Sequence, residues 1–257
     1  LGAGPKLVFC FHGYSEDGTS FSFFEKYAGS QYTFFAMDLP FHGDTQWNDG
    51  LNFDTNDLLL IIEKILHENN KQPGITIQFA LMGYSLGARV ALSIYEKIPS
   101  QVEKIILLAP DGLKVNFWYW LSTQTRIGNQ LFAFTMKHPG WFFGFLKGLN
   151  KLKLVNASIF KFVNYYIGDE NIRQLLYKRW TILRKLKPRL KRIQSLVCDN
   201  KTPVRLIYGK HDRIILPSTG EKFIEGIEKN GSLVIIQSGH KVLDEKHAQE
   251  IMPALLY

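Results

Sequence analysis

Ser85 stands at the centre of a G-x-S-x-G pentapeptide, Gly83-Tyr84-Ser85-Leu86-Gly87. A serine hydroxyl is a weak nucleophile at neutral pH. It needs a base within hydrogen-bond reach, and the base needs an acid that sets its tautomer and stabilises its charged form. Residues of those types come later in the chain, Asp212 in "GKHD" and His240 in "SGH". Ser, then Asp, then His is one of the chain orders in which such groups act together. The pentapeptide alone arises by chance in a chain of this length with a probability of about 0.1, so its surroundings carry the argument. Residues 75–82 (ITIQFALM) predict a buried strand and 86–97 (LGARVALSIYEK) an amphipathic helix. A sharp turn between them would lift the Ser85 hydroxyl out of the sheet. Gly83 and Gly87 remove the side chains that would clash as strand and helix close. The helix start also leaves N–H groups without intrahelical acceptors, which suits a developing negative charge.

The elements that must position these groups follow the same rhythm. Short strands, apolar on both faces, are predicted at 6–11, 32–37, 104–109, 204–208 and 233–237, alternating with helices at 19–28 and 53–68, the latter capped by Asp54 or Thr55. That alternation predicts a parallel sheet covered on both faces. Ligands of such sheets bind beyond the carboxyl ends of the strands. His12, Asp38, Ser85, Asp111, Asp212 and His240 all fall there. Asp111 follows an earlier strand and competes with Asp212 for the role of acid. His211 reads as a loop residue. His12, Asp38 and His42 read as organisers of the loops they occupy.

The 257 residues are enough for one domain with an insertion. Cys10 and Cys198 form no disulfide framework, Cys10 reading as a buried thiol, and nothing demands an oxidising compartment; a cytoplasmic location is expected. No run of 18 apolar residues exists. The chain lacks an initiator Met and starts almost directly on a strand, which predicts a trimmed N-terminus. Scattered histidines and unpaired cysteines predict no metal, and no glycine-rich phosphate loop or other cofactor site is found.

With these motifs in order, the chain resembles the α/β-hydrolase fold family, in its capped serine-hydrolase branch. The resemblance rests on "FHGY" (11–14), "DLPFHGD" (38–44), "GYSLG" (83–87), "PVRLIYGKHDRII" (203–215) and "SGHKV" (238–242). It implies an α/β-hydrolase core at 1–112 and 202–257 and a helical cap at 113–201. It implies Ser85 as nucleophile, His240 as base, Asp212 as acid, and an oxyanion hole from the backbone N–H groups of Tyr14 and Leu86. The family's first strands are missing here. The implied reaction is cleavage of a carboxylic ester or thioester with an apolar acyl group. Two alternatives stay open: an acyltransferase, C–C hydrolase or lyase with the same triad, and a ligand receptor that keeps the fold.

The expected cap is chemically distinct. Residues 114–201 hold 17 Lys and Arg against 3 Asp and Glu, within a chain of net charge +8, and 16 of its 35 aromatic residues. The clusters 117–120 (FWYW), 141–145 (WFFGF) and 160–166 (FKFVNYY) fit either cap core or an apolar pocket. The basic stretch 173–192, broken near Pro188, fits a solvated face, an anionic membrane surface or a grip on an anionic substrate; Arg126, Arg173 or Arg184 gripping a substrate carboxylate would favour the acyltransferase, C–C hydrolase or lyase alternative. Nucleic acid is not expected as a partner.

Overall fold

The structure, a computed structural model, describes residues 1–69, 77–114, 116–151 and 157–257. Six strands, β1 (Lys6–Phe11), β2 (Tyr32–Met37), β3 (Phe79–Tyr84), β4 (Val102–Leu108), β5 (Val204–Gly209) and β6 (Gly231–Ile236), form one sheet in the order β2-β1-β3-β4-β5-β6. Every neighbouring pair runs parallel. Eleven helices accompany them among the described residues: α1 (Phe24–Ala28), α2 (Thr55–Asn69), α3 (Leu86–Tyr95), α4 (Phe117–Gln124), α5 (Arg126–Lys137), α6 (Gly140–Lys151), α7 (Ala157–Gly168), α8 (Glu170–Ile182), α9 (Leu190–Asn200), α10 (Pro217–Ile224) and α11 (Ala248–Leu256).

The centre of the sheet is its driest part. Every residue of β3 and of α3 is buried, which is why both read as continuous apolar runs rather than as alternating patterns. The expected beginning of β3 at residues 75 and 76 lies outside the described residues. The helix expected over 19–28 is two pieces. Asp17 caps a 3₁₀ turn at Gly18–Phe21 by accepting the N–H of Thr19, and α1 starts separately at Phe24. At α2, Asp54 accepts the N–H of Asn56 and Asp57 accepts the N–H of Asp54, at 2.8 and 2.7 Å. This reciprocal pair satisfies donors that the first turn leaves open.

The chain divides into two units. The first comprises 1–46, 54–114 and 186–257 and contains the sheet with α1–α3 and α9–α11; the second comprises 47–53 and 115–185 and contains α4–α8. The expected insert ran to residue 201, whereas α9 groups with the sheet. Its apolar residues Ile193 and Val197 are buried, and the Tyr95 hydroxyl at the end of α3 donates to Thr202 Oγ1 just beyond α9. The basic composition continues through this change of unit, so composition alone does not mark it. In the second unit Phe132 packs on Tyr177 and Trp180, and Trp180 on Tyr119, with ring centroids 5.3–5.7 Å apart. The break in the basic stretch spans 183–189, where a 3₁₀ turn at Leu183–Lys185 and Pro188 end α8 before α9 begins.

Candidate active site

The sheet order reverses beside β1. The chain leaves β1 toward β2 on one side, and β3 returns on the other, so the loops beyond β1 and β3 diverge and leave a crevice. Phe11 is in register with Gly83. The segment His12-Gly13-Tyr14 therefore emerges beside Tyr84 and Ser85.

Ser85 occupies the sharp turn that the pentapeptide predicts. Its φ of 49° and ψ of −114° are a strained conformation for a residue with a side chain, costing about 1–3 kcal/mol. Neighbouring hydrogen bonds hold it: the Ser85 N–H donates to Leu108 O at 2.9 Å, and Ser85 O accepts from Ala88 and Asp111, both at 3.0 Å. The flanking glycines are required by close approach. A Cβ on Gly87 would lie 1.8 Å from the Phe11 carbonyl oxygen, and one on Gly83 would lie 2.5 Å from Gly87 O.

Two other loops meet Ser85. The His211 N–H donates to Ser238 O at 2.9 Å, joining the loop after β5 to the loop after β6. Across that join His240 Nδ1 lies 2.7 Å from Asp212 Oδ2, and His240 Nε2 lies 3.0 Å from Ser85 Oγ. The Asp212 side chain is fully buried. Its other oxygen, Oδ1, accepts the N–H groups of Ile214 and Ile215 at 2.8 and 2.9 Å. Those bonds fix the plane of the carboxylate, so Oδ2 is aimed at the imidazole. A proton on Nδ1 donates to Asp212 and leaves the Nε2 lone pair facing the serine hydroxyl. Asp111 goes elsewhere. It forms an ion pair with Arg89 and accepts the N–H of Gly112 at 2.7 Å. Of the two carboxylates, Asp212 is the one hydrogen-bonded to His240.

The resemblance implies two backbone donors here, the N–H groups of Leu86 and Tyr14. Leu86 is the first residue of α3, where an N–H has no intrahelical acceptor. The Tyr14 N–H is oriented indirectly. Leu39 N–H donates to His12 Nε2 at 3.0 Å, which leaves the ring proton on Nδ1, and Nδ1–H donates to Gly13 O at 2.8 Å. Carbonyl and N–H of one planar trans peptide point in opposite directions, so holding Gly13 O sets the direction of the Tyr14 N–H. His12 is completely buried, and its ring lies 5.0 Å from that of His42, whose Nδ1–H donates to Pro40 O. Asp38 accepts the Gly18 N–H at 2.6 Å. On the expectation that the Tyr14 N–H binds an oxyanion, His12→Ala should lower kcat about 10²-fold while KM changes far less, because such a donor is worth that much. Steady-state kinetics on a variant that keeps its circular dichroism spectrum checks this. An unchanged kcat would remove His12 from the positioning of Tyr14.

Sequence reasoning passed over two neighbours. The Tyr84 hydroxyl donates to His240 O at 3.3 Å, and the two rings lie 5.6 Å apart. Tyr84 was visible only as the variable position before the serine. Glu16 Oε2 is buried without a hydrogen-bond partner. Burial pushes this carboxyl up, against the opposing pull of Lys241. Its only sequence signal was its place in the loop after β1. In the helical unit Arg173 is buried, with Nε donating to Met136 O at 2.8 Å. It is thus committed to the main chain rather than presented to a ligand. Arg184 donates to Asn129 Oδ1, and Arg126 is exposed at the start of α5. Of the cluster at 160–166, the side chains of 160–162 lie outside the described residues. Cys10 is buried, and its burial pushes the thiol far up. Among the described residues no group of three His, Cys, Asp or Glu could hold a metal ion, and no helix is long and apolar enough to cross a membrane.

A parallel sheet covered by helices, with a strained serine between β3 and α3 and a histidine beyond the last strand, defines an α/β-hydrolase. The chain matches the family described as serine aminopeptidase, S33, over residues 4–247, and it belongs to that hydrolase family. It is 23% identical over 250 residues to the uncharacterized hydrolase YugF of Bacillus subtilis, covering 95% of this chain and 86% of that one. Among solved structures it is similar to a thermophilic esterase from Thermogutta terrifontis, with a TM-score of 0.66 and 17% identity over 99% of this chain and 90% of the other. It is also similar to the thioesterase domain from the curacin biosynthetic pathway, with a TM-score of 0.61 and 16% identity over 99% and 93%.

Proposed function

We propose that the protein hydrolyses a carboxylic ester or thioester with an apolar acyl group through an acyl-enzyme on Ser85. One observation carries this reading: His240 bridges Ser85 Oγ and Asp212 Oδ2, at 3.0 and 2.7 Å. The similarity in fold to an esterase and a thioesterase domain supports the choice of substrate class. As Ser85 Oγ bonds to the carbonyl carbon, His240 Nε2 accepts the hydroxyl proton. The carbonyl oxygen becomes an oxyanion, bound by the N–H groups of Leu86 and Tyr14. Asp212 stabilises the imidazolium and keeps its proton on Nδ1. Collapse of the tetrahedral species breaks the bond to the leaving group, which takes the proton from Nε2. Water, deprotonated by the same nitrogen, then attacks the acyl-serine. A second tetrahedral species releases the acid and returns the proton to Ser85. In this reading the helices α4–α8 of the second unit supply the cap.

Turnover across p-nitrophenyl esters of increasing chain length tests the acyl preference. Each buried methylene contributes about 0.8 kcal/mol, so lengthening the acyl chain from two to six carbons should raise kcat/KM by up to about two orders of magnitude. A flat profile would remove the apolar acyl site and leave the serine mechanism to be judged by labelling.

A further inference from the structure

Three successive helices of the helical unit turn apolar side chains to solvent. On α5 the exposed residues Ile127, Leu131 and Phe134, at 80%, 51% and 53%, are spaced i, i+4, i+7 and form one stripe. On α4 Phe117 and Trp118 are 60% and 69% exposed. On α6 Trp141 and Phe145, one turn apart, are 42% and 55% exposed, while Leu146 is buried. An amphipathic helix on a water-facing surface buries its apolar face and shows its polar one. Exposed apolar side chains gathered in this way, with the α5 stripe at their centre in the sequence, mark an interaction site.

Charge narrows the partner. Residues 112–168 contain seven Lys and Arg and not one Asp or Glu. Arg126, Lys137, Lys147 and Lys151 are exposed on the same two helices, α5 and α6, that carry the apolar stripes. A partner must therefore be apolar inside and anionic at its rim. A second copy of this chain would bring cations onto cations across a two-fold interface, at an electrostatic cost. An anionic bilayer meets both demands. Tryptophan and tyrosine favour the headgroup boundary, and each Lys or Arg near an anionic leaflet strengthens binding.

We propose that the helical unit docks, through residues 117–151, on the surface of a lipid bilayer containing anionic lipid. The exposed side chains of α4, α5 and α6 enter the boundary between headgroups and acyl chains, and the lysines and arginines meet lipid phosphates and carboxylates. The chain lies on the bilayer through these helices, none of which is long enough to cross it. The proposal does not rest on the role of Ser85, since binding is read without turnover.

The test uses the whole chain carrying Ser85→Ala, mixed with vesicles of phosphatidylcholine alone or with about one-third phosphatidylserine. The protein should sediment with the anionic vesicles at low salt. Binding should be about tenfold or more weaker on the neutral vesicles, and about tenfold or more weaker in salt near 0.5 M. Tryptophan emission should shift to the blue on binding and be quenched by lipids brominated in their acyl chains. Leu131→Ser with Phe134→Ser, and separately Lys137→Glu with Lys147→Glu, should each weaken binding about tenfold or more. Both pairs are exposed, and circular dichroism verifies that each variant is folded. Three results would overturn the proposal. One is no sedimentation with either vesicle. Another is binding to anionic vesicles with no blue shift and no effect of the serine pair, which would leave charge alone. The last is a dimer in light scattering that the serine pair dissolves, which would assign the face to a second copy.

Discussion

Ser85→Ala is expected to abolish covalent labelling by a fluorophosphonate and to lower kcat for ester hydrolysis by about 10⁴-fold or more. The expectation follows from how one hydroxyl among many is placed. Its oxygen lies 3.0 Å from an imidazole nitrogen whose ring partner is a buried carboxylate. Without that base a serine is unreactive at neutral pH. The alanine variant keeps the turn and both backbone donors, so a residual rate over water should persist. Intact-mass analysis checks the labelling: one phosphonyl group per chain in the parent and none in the variant. An adduct that persists in Ser85→Ala would place the reactive group elsewhere.

Asp212→Asn should cost almost as much, about 10⁴-fold in kcat, with KM and the circular dichroism spectrum nearly unchanged. An amide at this position presents a donor where the His240 Nδ1 proton needs an acceptor. The favoured tautomer then puts the proton on Nε2, against the serine hydroxyl. Asp111→Asn should cost much less in kcat. Its carboxylate is engaged with Arg89 and Gly112, so the loss falls mainly on the packing around the turn at Ser85 and is read as a lower Tm. Steady-state kinetics on the two variants side by side decides the matter. If Asp111→Asn loses the larger factor in kcat at unchanged KM, the acid role belongs to the loop after β4.

Much of this was legible in the sequence, because the information was local. Strands buried on both faces must be apolar throughout, so β1 and β5 could be read to within a residue or so from KLVFCF and VRLIY, and the half-buried edge strand β2 from the equally apolar YTFFAM. The pairing of Gly83 and Gly87 around Ser85 announced a turn too tight for side chains, and its geometry follows from the same steric fact. Chain order placed every polar candidate at a strand's carboxyl end. What the sequence left open were choices between residues far apart in the chain. Asp111 and Asp212 are alike in type and in following a strand, and only the family resemblance favoured Asp212. Only the β5–β6 pairing and the bond from His211 to Ser238 bring the loop of Asp212 beside His240, while Arg89 draws Asp111 away. The link from Leu39 through His12 to Gly13 joins two loops whose meeting no local pattern encodes. The aromatic clusters near 117 and 141 are the clearest case. A run such as FWYW reads the same inward or outward, because burial depends on which neighbours the fold supplies, and the tertiary structure leaves Phe117, Trp118 and Trp141 exposed.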